Sequence, residues 1–317
     1  MAQPSTSTGS SATAVSYALL AYGAWGVLPV FWKLFTGIPA TEVLAHRMVW
    51  ALPFTLALLL AGRRMGEFID LVKRPRRLAL MVLTSSILAL NWGTYIYGVN
   101  TDRIVETSLG YFINPLVNVA LGFLFLKERF NRWQVAALAL ASLGVGIFIW
   151  SVGTWPWIAL TLAFSFGFYG LLRKLAPAGP LPGLAAETLV LAPVACLYLA
   201  LLQRSGQSHF GQDGTITLAL VASGAVTALP LLWFAQAARR MRLSTVGLFQ
   251  YMAPTMQLLL GVFLYREPFT AAHVITFSCI WIALAIYSGN ALAARRQQAK
   301  QGPLTSSTPG NGMQTRE

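Results

Sequence analysis

Charged residues are scarce in this sequence. Only 10% of its 317 residues are Asp, Glu, Lys or Arg, whereas a soluble protein carries roughly 25%. Hydrophobic residues make up 56% of the chain, and its mean hydropathy is +0.60. A surface with so few charges cannot face water over most of its area. The composition therefore excludes two soluble domains, the expectation from length alone, and predicts a protein embedded in lipid.

Acidic residues and cysteines are also few. The chain has 10 acidic and 23 basic residues, and its two cysteines, Cys196 and Cys279, both lie in apolar runs. Two such cysteines indicate neither a disulfide framework nor a metal site. The sequence contains no HExxH, no CxxC, no nucleophile elbow and no phosphate-binding loop, so we expect neither an enzyme nor an ATP-driven pump, and no cofactor.

Ten apolar runs approach the length of about twenty residues that a helix needs to cross a bilayer. They are Tyr17–Phe35, Glu42–Ala61, Leu78–Val99, Val105–Leu126, Trp133–Trp150, Trp157–Leu172, Leu184–Leu202, Thr215–Ala238, Leu243–Tyr265 and Ala271–Tyr287. The ends, residues 1–16 and 291–317, are rich in small and polar residues and are predicted to be disordered tails. The fold class expected is an all-α polytopic membrane protein.

The basic residues lie almost entirely between these runs, where they report orientation rather than nucleic-acid binding. With the amino terminus in the cytoplasm, 18 of the 23 lysine and arginine residues are inside, within residues 63–77, 127–132, 173–174, 239–242 and 295–316. The outer side keeps four, which are Lys33, Arg103, Arg204 and Arg266, and Arg47 falls within a span. This bias predicts that both tails are cytoplasmic.

The two halves of the sequence resemble each other. Residues 115–130 read PLVNVALGFLFLKERF, and residues 254–269, which lie 139 positions later, read PTMQLLLGVFLYREPF. Near an offset of 141, Gly26 and Lys33 correspond to Gly167 and Lys174. Because five spans is an odd number, the second copy would cross the membrane upside down. We therefore predict two inverted five-helix repeats, residues 17–150 and 155–290, as in many secondary transporters.

Five stretches carry a resemblance to a known family: AYGAWGVLPVFWK at 21–33, EVLAHRMVW at 42–50, LNWGTYIYGVN at 90–100, SLGYFINPL at 108–116, and the LKERF loop. The chain is similar in these to the EamA family of the drug/metabolite transporter superfamily, and within it to the RarD-like subgroup. This resemblance implies ten helices, cytoplasmic tails, a central substrate cavity, a bacterial inner-membrane location and export. It does not imply a particular substrate.

Ionisable residues within spans are expensive and need an explanation. Glu42 and His46 are four residues apart and could pair on one helix face, with Arg47 beside them. At the offset of 141, Glu187 corresponds to His46. We expect Glu42, His46, Arg47 and Glu187 to gate the pathway or couple it to protons near its opposite mouths. The alternative is a static ion pair between His46 or Arg47 and a carboxylate.

Aromatic and amide residues cluster in matched spans and suit a cavity for a small amphipathic molecule. Proline near the middle of both the fourth and the ninth span would free a carbonyl for a nearby amide or a ligand. The candidate cavity residues are Trp25, Asn91, Trp92, Tyr95, Asn114, Pro115, Asn118, Trp233, Gln236, Gln250, Pro254 and Gln257. The alternatives are an interfacial aromatic belt and prolines that only kink packed helices.

The predicted function is secondary active transport of small metabolites or drug-like molecules by alternating access. A facilitative channel and an intramembrane enzyme remain the alternatives. The expected partners are a small-molecule substrate, the lipid bilayer and, as a candidate coupling ion, protons, with no nucleic acid. Small residues at Ala137, Ala141, Ser142 and Gly146 have the spacing of helix-association motifs, and the sequence leaves monomer and homodimer open.

Overall fold

The computed structural model describes residues 8–126, 132–176, 178–240 and 249–300, and this part of the chain is helical with no strand. The helices are α1 (Thr8–Trp32), α2 (Ala40–Ala61), α3 (Met65–Lys73), α4 (Pro75–Asn100), α5 (Ile104–Leu126), α6 (Arg132–Val152), α7 (Trp157–Leu175), α8 (Pro180–Arg204), α9 (Gly214–Arg240), α10 (Met252–Leu259) and α11 (Ala271–Lys300). A 3₁₀ turn at Lys33–Phe35 extends α1, and a π-helix at Leu260–Leu264 extends α10.

Five of the described helices are long and apolar enough to cross a membrane, namely α1, α2, α4, α8 and α9. Shorter apolar segments lie in α6, α7, α10 and α11. A helix covers every predicted span except the ninth, whose first residues, 243–248, lie outside the described ranges. The hydrophobic runs therefore located the helices along the chain.

The structure adds a helix where the sequence analysis had only a basic connection. Helix α3 is amphipathic, and it buries Phe68 and Leu71 against Leu59, Met81 and the start of α8. Nine residues are too few to span a bilayer, so our search for long apolar runs did not detect this helix. It packs beneath the beginning of α8 and joins α2 to α4.

The predicted disordered tails are partly helical. Helix α1 begins at Thr8 rather than at residue 17, and α11 continues to Lys300 past the predicted boundary at residue 290. Ala14 in the extended part of α1 is completely buried. Residues 291–300, ALAARRQQAK, are nearly all strong helix formers. Polar composition alone was therefore a poor guide to where these two helices begin and end. The rest of both predicted tails, residues 1–7 and 301–317, lies outside the described ranges.

The two matched prolines occupy different positions. Pro115 lies inside α5, as predicted. Pro254 instead lies in the first turn of α10, just after a turn at Gln250 and Tyr251. Proline is well tolerated there because the first amide groups of a helix have no intrahelical acceptor. Pro254 therefore follows a break in the helix at residues 250–251; because residues 243–248 lie outside the described ranges, its predicted place near the middle of the ninth span stays a prediction.

Helices of the first half pack mainly on helices of the second. The most extensive contacts join α6 to α11, α5 to α7, α2 to α8, α1 to α9, α2 to α9 and α4 to α7. Further contacts join α1 to α10, α4 to α8 and α5 to α10. If each helix is exchanged for its counterpart in the other half, this set of contacts maps onto itself.

Matched glycines allow two of these crossings. A Cβ atom at Gly26 in α1 would lie 2.6 Å from the sulfur of Met256 in α10. At the corresponding Gly167 in α7, a Cβ would lie 2.8 Å from a methyl carbon of Val117 in α5. Both distances are shorter than side chains tolerate, so only glycine permits the approach. Met256 and Val117 also correspond at the offset of 139.

Carboxylates cap helices at the predicted outer end of the bundle. Glu267 accepts hydrogen bonds of 2.7 Å from the amides of both Ile104 and Val105 at the start of α5. Glu106 accepts one of 3.0 Å from the amide of Ile158 at the start of α7. A negative charge at a helix amino terminus complements the exposed N–H groups and the helix dipole. Burial raises the pKa of Glu267, and the two amide hydrogen bonds oppose that rise.

The crossing of α2 and α9 gives the first prediction. A Cβ at Gly224 in α9 would lie 2.4 Å from the backbone carbonyl carbon of Trp50 in α2. Backbone atoms cannot move aside as a flexible side chain can, so Gly224→Ala should destabilise the protein by about 1–3 kcal/mol. Thermal unfolding of the purified protein in detergent should show a melting temperature several degrees below that of the wild type.

Gly146→Ala is the matched control. A Cβ at Gly146 in α6 would have no atom within 4 Å, and alanine is the better helix former by about 1 kcal/mol. Its melting temperature should equal or exceed that of the wild type. Equal melting temperatures for the two variants would contradict the packing of α2 on α9.

Candidate functional site

Arg47 is a buried arginine within a predicted membrane span. It lies in the second turn of α2 and is 5% exposed. Its guanidinium carbon lies 3.8 Å from the ring centroid of Trp92 in α4 and 5.1 Å from that of Trp32 at the end of α1. Tyr95 and Tyr111 are close enough to interact with it electrostatically. We call these five residues, Trp32, Arg47, Trp92, Tyr95 and Tyr111, the arginine cage.

The arginine cage holds several polar groups that have no partner. The Nε and Nη1 atoms of Arg47, the indole nitrogen of Trp32 and the hydroxyl of Tyr95 are buried and make no hydrogen bond. Among the described residues, no carboxylate forms an ion pair with Arg47. Most buried polar groups in proteins are hydrogen-bonded, and an unpaired charge within a membrane protein is costly. The unpaired groups of the arginine cage therefore lower the stability of the folded protein.

Aromatic rings continue from the cage toward the second half. The centroids of Tyr95 and Tyr111 are 5.7 Å apart, and that of Phe166 in α7 lies 6.5 Å beyond Tyr111. Tyr169 follows at 6.0 Å, and its hydroxyl donates a 3.1 Å hydrogen bond to Glu187 in α8. The row joins Arg47 and Glu187, two residues that the sequence analysis selected separately.

Glu42 forms a different pair from the predicted one. Its carboxylate accepts a 2.7 Å hydrogen bond from the backbone amide of His209, and the Nδ1 atom of His209 lies 2.7 Å from its other oxygen. Ser208 contributes a weaker hydrogen bond of 3.4 Å. The predicted pairing of Glu42 with His46 was wrong, because the loop after α8 folds over the start of α2 and supplies closer donors. We call this contact, which the sequence predicts to lie on the outer side of the membrane, the outer clamp; Glu42, Ser208 and His209 form it.

His46 has no hydrogen-bond partner on either ring nitrogen and is 4% exposed. Its ring stacks on Phe210 with centroids 4.8 Å apart and planes 19° apart, and the ring of Trp50 also stacks on Phe210 with centroids 6.4 Å apart. These side chains line a cavity of about 480 Å³ between α2, the end of α8 and the loop after α8. A cavity of this size can hold a small organic molecule. A static ion pair to His46, the alternative considered from the sequence, is not found among the described residues.

Glu187 lies at the other end of the same helix pair. Its side chain is 1% exposed, and Arg173 in α7 approaches it at 3.8 Å. Thr41 at the start of α2 contacts Tyr198 near the end of α8, with oxygen atoms 2.9 Å apart. The start of α8 packs instead against Leu59, near the end of α2. His46 and Glu187 therefore lie toward opposite ends of the antiparallel pair of α2 and α8.

Three of the amides predicted to line a cavity connect helices instead. Asn91 donates to the carbonyl of Leu162 and to the hydroxyl of Ser165 in α7, at 3.1 and 2.9 Å. Asn114 donates to a second carbonyl of α7 at 3.1 Å, and Gln257 donates to the carbonyl of Trp25 at 3.0 Å. Each retains lone pairs, and the oxygens of Asn91 and Gln257 are buried without a partner.

The remaining predicted cavity residues do not form one group. Trp25 packs with Tyr22 and Phe234 between α1 and α9, at centroid distances of 5.3 and 5.8 Å. Asn118 is exposed and donates to Asn114. Trp233, Gln236 and Gln250 are half-buried, and Pro115 and Pro254 lie on α5 and α10. The carbonyl of Pro254 accepts a 2.7 Å hydrogen bond from Ser108, so α10 is fastened to α5. Trp92 and Tyr95 alone join the arginine cage.

Four residues of the site were not predicted from the sequence, namely Trp32, Tyr111, His209 and Phe210. Trp32 and Tyr111 lie within the stretches that carry the family resemblance, and a search for aromatic residues near the intramembrane arginine would have selected them. His209 and Phe210 gave no such signal, because their partners on α2 are more than 160 residues away. Within the described residues, no group of three or more His, Cys, Asp or Glu side chains could hold a metal ion.

A solved crystal structure shares the fold. It superposes with a TM-score of 0.58 at 18% sequence identity, and the match covers 87% of this chain and 97% of that one. At this identity the similarity concerns the fold alone.

Relatives of much higher identity are RarD proteins. Protein RarD of Streptomyces exfoliatus is 47% identical over 290 residues, which cover 91% of this chain and 92% of that protein. Protein RarD of Salmonella typhi is 45% identical over 285 residues, which cover 90% and 97% respectively. The EamA-like transporter family matches residues 12–150 and again residues 153–289. The chain belongs to the EamA-like transporter family, as a RarD-like, multi-pass membrane protein of the drug/metabolite transporter superfamily.

Proposed function

We propose that the protein is a secondary active transporter that exports a small molecule across the bacterial inner membrane by alternating access. Family membership establishes that the chain is a membrane transporter. The direction of transport, its mechanism and the inner-membrane location are our proposal. Ten helices with both tails in the cytoplasm fit the asymmetry of basic residues described above. Transporters of this kind bind substrate near the midplane, between two repeats.

Three observations support inverted repeats. The family matches each half of the chain separately, over residues 12–150 and 153–289. The helix contacts also map onto themselves when the halves are exchanged. The glycine contacts of Gly26 with Met256 and of Gly167 with Val117 follow the same exchange. This symmetry favours a carrier whose site closes in an equivalent way toward each side of the membrane, and it disfavours a fixed pore.

The observation that carries the proposal is the buried arginine cage with its unpaired groups. A channel lining would keep Arg47 hydrated, and a purely structural arginine would have a carboxylate partner. Arg47 has neither, because it is buried and forms no ion pair among the described residues. A buried polar site that is left unsatisfied suits a ligand that enters in another conformation.

The outer clamp supplies a candidate gate. Glu42 holds the loop after α8 over the cavity that His46 and Phe210 line. Opening toward the outside would require these hydrogen bonds to break, because the loop covers the start of α2. Glu187 and Arg173 lie toward the opposite end and are candidates for the inner gate.

Transport can be tested in liposomes that contain the purified protein. We expect saturable uptake of at least one compound from a panel of amino acids and aromatic carboxylic acids. A carrier reorients across the membrane faster when its site is occupied than when it is empty. Adding the same compound on the opposite side of the membrane should therefore accelerate the flux. The control is Arg204→Gln, which removes an exposed charge at the end of α8 and should behave as the wild type.

Other outcomes point to the alternatives. Flux that rises linearly with concentration and shows no acceleration from the opposite side would indicate a channel. A chemically altered product, detected by mass spectrometry, would indicate an enzyme. Absence of flux for the whole panel, in protein with a normal melting temperature, would contradict the proposed function.

The outer clamp gives a prediction that needs no substrate. Ser208 is 6% exposed, so a Ser208→Cys substitution in a variant lacking Cys196 and Cys279 should react slowly with a membrane-impermeant maleimide in intact cells. Adding Glu42→Ala should speed labelling by about tenfold, because a loss of about 1–3 kcal/mol in buried hydrogen bonds favours the open loop. Mass spectrometry of the purified protein measures the labelled fraction.

Asp213→Ala is the matched control in the same loop. Asp213 accepts a hydrogen bond from the amide of Ile216 on the exposed side of the loop, and its loss should leave the labelling rate of Ser208→Cys unchanged. If labelling occurs only after the cells are opened, the loop lies inside and the proposed topology is wrong. If Glu42→Ala leaves the rate unchanged, the clamp does not hold the loop.

The candidate proton pair gives a further prediction. His46 interacts electrostatically with Glu42, and Glu187 has Arg173 and Tyr169 as its neighbours. If either residue carries the coupling proton, His46→Gln or Glu187→Gln should lose accumulation driven by a pH gradient while exchange without a gradient continues. The control is His273→Gln, at the start of α11. Full gradient-driven accumulation in both variants would leave His46 and Glu187 with a structural role.

A further inference from the structure

The unpaired groups of the arginine cage share one chemical property. Arg47 offers two buried N–H groups, Trp32 offers an indole N–H and Tyr95 offers a hydroxyl. Arginine and tryptophan side chains only donate hydrogen bonds, and the tyrosine hydroxyl can also donate. Groups on three helices that can donate therefore lie in the arginine cage, and none of them has a hydrogen-bond partner.

The charge of the site indicates the same missing partner. Arginine keeps its positive charge in proteins, and no carboxylate pairs with Arg47 among the described residues. The nearest acid on its own helix, Glu42, is bound to His209. An unpaired cation in a membrane interior is unfavourable, and an anion at the same place would offset its cost.

The geometry of the aromatic rings leaves the arginine free to bind. Trp92 lies 3.8 Å from the guanidinium carbon, the distance of a ring stacked on the guanidinium plane. Stacking covers the face of the guanidinium and leaves its N–H groups, which point along its edge, for hydrogen bonds. Nε and Nη1 lie on different edges of the guanidinium, so an oxyanion beside either edge can accept a charge-assisted hydrogen bond.

We propose that the arginine cage binds the carboxylate of a small organic acid with an apolar or aromatic body, and that this acid is the transported substrate. The second part rests on the proposed function. One guanidinium matches the single charge of a carboxylate, whereas a phosphate dianion would leave charge uncompensated. The rings of Tyr111 and Phe166 extend from Arg47 toward the second half and offer apolar surface to the rest of the molecule.

The neighbouring cavity provides room for such a molecule to approach. His46, directly before Arg47 in the chain, lines the space of about 480 Å³ beneath the loop after α8. Its walls also include Trp50 and Phe210. This cavity is open to the surface, and its lining residue His46 directly precedes Arg47 on α2.

The experiment measures equilibrium binding to purified protein in detergent, so it does not depend on transport. Three probes share one body: 3-phenylpropionate, its amide and the corresponding amine. Benzoate and benzamide form a second pair, and chloride and inorganic phosphate test for a simple anion. Thermal shift identifies binding, and isothermal titration gives the affinity.

We expect the wild type to bind each acid at least about tenfold more tightly than its amide, because a charge-assisted hydrogen bond is lost with the charge. The amine should not bind. Arg47→Gln should reduce the ratio of acid to amide affinity to about one. Arg47→Lys, which keeps the charge but loses the planar set of N–H donors, should give a ratio between those of Arg47→Gln and the wild type. Arg204→Gln should keep the wild-type ratio.

A structural role for Arg47 would give a different result. If the residue serves binding, Arg47→Met should have a melting temperature without probe equal to or above that of the wild type, because an unpaired buried charge is gone. A marked fall in melting temperature, together with unchanged preference for the acid in Arg47→Gln, would overturn the proposal. So would equal binding of acids and amides by the wild type, stabilisation by chloride or phosphate alone, or no stabilisation by any acid at millimolar concentration.

The failures of the two proposals can be told apart. Selective binding of acids without flux in liposomes would keep the anion site and reject the transporter function. Saturable flux of compounds that lack a carboxylate, unaffected by Arg47→Gln, would keep the transporter and reject the anion site.

Discussion

Polar groups inside a lipid-embedded protein must find their partners within the protein, because hydrocarbon offers none. Most of this fold follows from that constraint. Asn91 and Asn114 donate to carbonyls of α7, and Gln257 donates to a carbonyl of α1, so each amide fastens two helices. Glu267 and Glu106 accept the free amides at the starts of α5 and α7. Where so many groups are satisfied, the unsatisfied ones at Arg47 and His46 need another explanation.

Close backbone approach is the second requirement, because association of helices in lipid depends on packing rather than on exclusion of water. Gly224 lies against the backbone of α2, and Gly26 and Gly167 admit side chains of the opposite half. These contacts place the two halves against each other along nearly every helix. A polar site between such halves can be closed from either side by small changes at the helix ends, where the outer clamp and Glu187 lie.

The sequence was a good guide to what depends on long apolar runs and a poor guide to what depends on distant pairs. Hydropathy located α1, α2, α4 and their counterparts, since each is a continuous local signal. It could not detect α3, which is short and amphipathic. It also placed the start of α1 too late and the end of α11 too early, because polar residues can still be helical. Intramembrane charge selected Glu42, His46, Arg47 and Glu187. It could not assign their partners, since His209 reaches Glu42 across 167 positions.

Glu42 and Arg47 show how one helix can hold opposite charges apart. Residues five positions apart in an α-helix point about 140° away from each other, so they cannot pair as residues three or four apart do. Glu42 therefore meets the loop after α8, while Arg47 faces the rings of α1 and α4. An acid placed one residue later would share a face with Arg47 and could neutralise it. This spacing directs Glu42 to the outer clamp and leaves Arg47 without an ion pair among the described residues. A ligand that carries its own negative charge would therefore find a site that no described residue already fills.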